Sequence, residues 1–201
     1  MTFAGLSRRG FLGASAAGLG IMGVAAAGWD WFGPGEAHYR ALVGDAVPTV
    51  LSVKELAILG ALAETVITTA SGAPTVQQAE TARRIDRELS FQLESQLVSD
   101  VKLSLAFLEH LPVVDFLGLH FTSLSTADKI AFLENCGTSS WSARSRAFAG
   151  LKFLILFFYY TDDRTWPSIG YGGPQVAEKF FEGGNSIANL PAIAGHTGQG
   201  G

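Results

Sequence analysis

Eight consecutive residues from Phe153 to Tyr160, Phe-Leu-Ile-Leu-Phe-Phe-Tyr-Tyr, are all aliphatic or aromatic. They continue a helix-period segment that starts near Ser140 and carries Phe148 and Leu151. A helix apolar on every side needs cover on every side. Eight residues are too few to cross a bilayer, so the run predicts a central core helix around which other elements pack. That expectation sets the fold class, because nothing elsewhere shows the period-two alternation of a half-buried strand.

The other segments carry helical punctuation. Ser52-Val53-Lys54-Glu55 is a capping box, in which each end side chain satisfies the other residue's backbone amide. Leu56, Leu59, Ala63, Val66 and Ile67 follow it at helical spacing, up to the stop at Ser71-Gly72-Ala73-Pro74. A second helix is expected over 76–93, with Ile85, Leu89 and Leu93 inward and Arg83, Arg84, Arg87 and Glu88 on a solvated face. A third, over 94–111, carries Leu97, Val101, Leu105 and Leu108 and is expected to end at Pro112. Ser125-Thr126-Ala127-Asp128 opens a fourth, running to Cys136 with Ile130, Phe132 and Leu133 as its apolar side. The result is one all-α domain of about five helices over 51–174. It follows an irregular linker at 28–50 and precedes a Gly-rich carboxy-terminal arm at 175–201. Trp29, Trp31, Phe32 and Tyr39 are unusual in a linker and predict that it packs on its own domain or on a partner.

Ahead of this domain, Ser7, Arg8, Arg9, Phe11 and Leu12 form the twin-arginine mark of an export signal. No charge follows from Gly10 to Trp29, and Ala25-Ala26-Ala27 offers a small-residue cleavage site, which bounds the signal at 1–27. Six glycines from Gly10 to Gly28 weaken that run as a transmembrane span. A retained anchor is the alternative reading, and export holds under both. The expected compartment is the periplasm, and the first partner is the twin-arginine translocase.

The residues show no catalytic apparatus. His38, His110, His120 and His196 are far apart in sequence and form no zinc-binding spacing. One cysteine, Cys136, excludes an intrachain disulfide and reads as a buried apolar residue; the alternative is a disulfide to a partner. There is no P-loop, no dinucleotide fingerprint and no nucleophile elbow. A net charge of -4 without a basic stripe excludes nucleic acid as a partner. Asp162-Asp163 reads as a solvated helix-end cap more readily than as a cation site. The expectation is therefore no catalytic, cofactor or metal site in this chain.

With the signal, the chain from Ser7 to Pro174 resembles the gluconate 2-dehydrogenase subunit 3 family. The likeness rests on Leu56 to Ile67 and on Ile85-Asp86. Most specific are Tyr159-Tyr160-Thr161-Asp162 with Trp166, and Ile169-Gly170-Tyr171-Gly172-Gly173-Pro174. It departs from the family after Ile67, where Thr68 to Pro74 matches the usual Pro- and Thr-rich turn only loosely. The resemblance implies the small, non-catalytic subunit of an FAD-dependent sugar or polyol dehydrogenase. Its partner would be a flavoprotein of the glucose–methanol–choline type that holds FAD, with a cytochrome c passing electrons to the membrane in many members. The small subunit would carry the export signal for both chains and assist the partner's folding.

Tyr159, Tyr160, Trp166, Tyr171, Gly172, Gly173 and Pro174 are the expected partner interface, since aromatics among glycines can dock closely. The competing expectation is that Trp166 and Tyr171 fold back on the end of the core helix. Two further functional readings stand beside this one. One is an independent periplasmic enzyme using Asp162, Asp163 and His120; the other is an envelope-anchored binding or structural protein.

Overall fold

The computed structural model describes residues 33–91, 95–115 and 117–173. The export signal at 1–27 lies outside them, as do Trp29, Trp31, Phe32, Leu93, Pro174, His196 and the arm at 175–201. The described residues form an all-α fold without strands. Its helices are α1 (Glu36–Val43), α2 (Val53–Val66), α3 (Thr81–Ser90), α4 (Ser95–Val114), α5 (Thr126–Thr138) and α6 (Ser142–Tyr160). Two 3-10 segments, Phe121–Ser123 and Asp163–Ile169, complete it. No described helix is long and apolar enough to cross a membrane.

The helix at the centre is α2, which packs on all five other helices. Its capping box forms as expected: Glu55 N donates to Ser52 Oγ at 3.2 Å, and Ser52 N to Glu55 Oε2 at 2.6 Å. Leu56, Ile58, Leu59, Leu62 and Ala63 are buried around most of its circumference. The small buried residues Ala57 and Ala63 let neighbours approach closely, which is what a helix needs to be surrounded. The role expected for the helix at 140–160 thus passes to α2. Helix α6 packs on α2, α3, α4 and α5 through Ala147, Phe148, Leu151, Ile155 and Tyr159. Phe153 and Phe157 face away from that core.

Three further boundaries differ from the sequence expectation. Residues 28–50 are not all linker, because α1 forms within them and buries Tyr39. A helix of eight residues is marginal alone and is held by tertiary contacts. Helix α3 starts at Thr81, not 76. Thr75 and Gln78 cap a separate turn (Thr75 N to Gln78 Oε1, 2.8 Å), and Glu80 at φ 51° breaks it from the helix. Pro112 does not end α4, which continues to Val114. Near the end of a helix a proline forfeits little beyond its own hydrogen bond, and Asp115 N still reaches Leu111 O at 3.0 Å. Two residues placed on apolar faces, Leu97 and Ile130, are exposed.

Cys136 is buried as expected, with Arg144 Nε at 3.4 Å from its Sγ. Arg144 also pairs with Asp115 and lies 5.3 Å from the Phe132 ring centroid, joining α5 and α6 to the residue that follows α4. Asp86 closes the other side. It is 2% exposed, and its carboxylate accepts the N–H groups of Thr49, Val50 and Leu51 at 2.5, 2.9 and 2.8 Å. Those three donors stand just ahead of the Ser52 cap, so one buried charge sets how α1 and its loop join the domain.

Candidate functional site

Three features stand out from the packing: a closed polar hub under α1, a hook after α6, and an uncovered aromatic face on α6. The hub is centred on Glu109, whose side chain is fully buried. Tyr39 Oη donates to Oε1 at 3.0 Å, Thr122 Oγ1 to Oε1 at 2.6 Å, and Thr122 N to Oε2 at 3.1 Å. His38 Nε2 lies 3.1 Å from Thr122 Oγ1, and Lys54 Nζ lies 3.3 Å from His110 Nε2. The His110 and His120 rings meet edge to face at 4.9 Å. Three histidines far apart in sequence thus converge here. Among the described residues no group of three or more His, Cys, Asp or Glu is arranged to hold a metal ion.

The hub's electrostatics follow from its burial. Desolvation pushes the Glu109 carboxyl above the ordinary carboxylate range, against the pull of Thr122, Tyr39 and Lys54. Desolvation, with Lys54 and His38, lowers His120 below the usual histidine range. A carboxylate with no exposed surface cannot touch a substrate; its chemistry is to hold α1 and the 121–123 turn together. Because its folded pKa is raised, the folded state binds more protons than the unfolded state between the ordinary carboxylate range and the raised value. Its contribution therefore falls as pH rises through that window. In Glu109→Gln that slope should vanish. Wild type should gain stability relative to the variant as pH is lowered through the window. Urea melts of both proteins at a series of pH values check this; parallel curves would refute it.

The hook begins at Asp162, which starts the 3-10 segment by accepting Arg164 N at 3.1 Å. Arg164 Nε and Nη2 also donate to this carboxylate at 2.8 and 2.6 Å, and Arg84 Nη1 stands 3.8 Å away. The Arg164 hydrogen bonds hold Asp162 below the ordinary carboxylate range. Asp162 is therefore a cap, as expected, but it is buried rather than solvated, and Arg84 leaves the solvated face expected for α3 to approach it. Asp163 is exposed. His120 belongs to the hub and Asp162 to the hook, so the triad Asp162, Asp163 and His120 does not form one polar cluster.

Arg164 Nη2 also reaches Gln78 O at 2.9 Å, and Tyr159 Oη reaches Pro74 O at 2.8 Å. Together they tie the hook and the end of α6 to the segment before α3. Trp166 folds back, its Nε1 donating to Tyr160 O at 2.9 Å, and a Cβ at Gly173 would stand 3.3 Å from Trp166 Cζ3. Gly173 at φ 95° makes that close approach possible. Of the residues expected to meet a partner, Tyr159 is buried, while Tyr160 and Trp166 are half-buried. Gly172 is exposed, as is Tyr171, whose ring meets Trp166 edge to face at 5.1 Å.

The outward face of α6 carries two exposed aromatics. Phe153 is 69% exposed and Phe157 is 55% exposed. Their rings lie 6.2 Å apart at an interplanar angle of 26°, and Phe158 braces Phe157 edge to face at 5.3 Å. Compared with known proteins, the chain matches no family model, no curated protein and no solved structure. What this surface can do follows from its own chemistry. An exposed aromatic pair on one helix face is suited to burial against another surface. Periodicity hid it, because a continuous apolar run does not say which of its faces lacks a neighbour. Glu109 and Asp86 did leave a signal. Each is a charge set among apolar core positions, Glu109 four residues after Leu105 and Asp86 between Ile85 and Leu89.

Proposed function

We propose that this chain is the non-catalytic small subunit of an exported FAD-dependent sugar or polyol dehydrogenase. It escorts a folded flavoprotein through the twin-arginine pathway and stabilises it in the periplasm. The observation that carries the reading is the exposed Phe153–Phe157 pair, an apolar surface on a helix whose opposite face is in the core. Burying two such rings contributes about 2–4 kcal/mol, one part of what a complex needs to offset the cost of association. The Arg8-Arg9 signal and the likeness at Tyr159–Pro174 support the same reading. In it FAD belongs to the partner, and a cytochrome c is the expected electron acceptor.

Co-expression tests this. A tagged copy should be poorly soluble alone. With a glucose–methanol–choline flavoprotein encoded beside it, the pair should purify as a complex with bound flavin absorbance. A monomer that stays soluble alone and ignores that flavoprotein would overturn the reading.

A further inference from the structure

We draw no further inference here: the strongest candidate, the open cleft over Gly60 between α1, α2 and α3, is lined by Glu64 and Glu80 as well as by Arg83 and Lys129, so its charges select no ligand, and nothing in the structure shows what fills it.

Discussion

Under the proposed function, changing both Arg8 and Arg9 to lysine is expected to keep the chain, and the flavoprotein it would escort, in the cytoplasm. The double substitution keeps both positive charges, so any effect that depends only on a cationic segment before an apolar run survives. What changes is the guanidinium, a planar fork whose directional donors an ammonium cannot reproduce. A receptor that reads the address by that geometry rejects the variant. Cell fractionation should find both chains lost from the periplasm together, with flavin-dependent sugar oxidation lost at the cell surface. Export of the lysine variant at the wild-type level would show that Arg8 and Arg9 are not the address. Export of the flavoprotein without the small subunit would leave the address intact and remove the escort role.

Asp86→Ala is expected to be the most damaging single substitution inside the domain. The carboxylate is buried and answers three backbone donors at 49, 50 and 51. Removing it strands the buried Leu51 N–H, at about 1–3 kcal/mol, and costs Thr49 and Val50, which lie nearer water, a charge-assisted hydrogen bond each, for a total of about 3 kcal/mol. In a domain of this size that lowers the thermal midpoint by roughly 10 °C. Asp86→Asn keeps one acceptor oxygen and should fall between the two. Equilibrium urea unfolding measures both, and an alanine variant within experimental error of wild type would remove Asp86 from its anchoring role. Loosening of 49–51 would also free α1, so hydrogen exchange at Tyr39 and its neighbours should rise first.

Much of the fold is legible in local sequence because its signals are local. The Ser52–Glu55 box, the Ser125 cap and the spacing of Val101, Leu105 and Leu108 each involve residues within a few positions of one another. A helix start is decided by such short-range hydrogen bonds, and the structure places these starts where the pattern does. Boundaries that depend on partners elsewhere in the chain were not legible. Helix α1 exists because Tyr39 reaches Glu109, seventy positions away, and α3 starts late because Glu80 turns left-handed beside a separately capped turn. The candidate surface was half legible. Trp166 and Tyr171 stand out from sequence, whereas Phe153 and Phe157 are indistinguishable from their buried neighbours until the other helices are in place.

By itself the sequence determined the all-α class, most helix starts and the buried thiol of Cys136, since each rests on short-range periodicity or capping. Tertiary structure decided the rest. The apolar run at 153–160 was expected to be surrounded, yet the centre went to α2, whose small residues let five helices close around it. Helix α6, with its large aromatics, packs one side against that centre and leaves Phe153 and Phe157 outward. Hydrophobicity along a chain sets how much surface must be covered. Only the packing of distant elements sets which part of it remains for a partner.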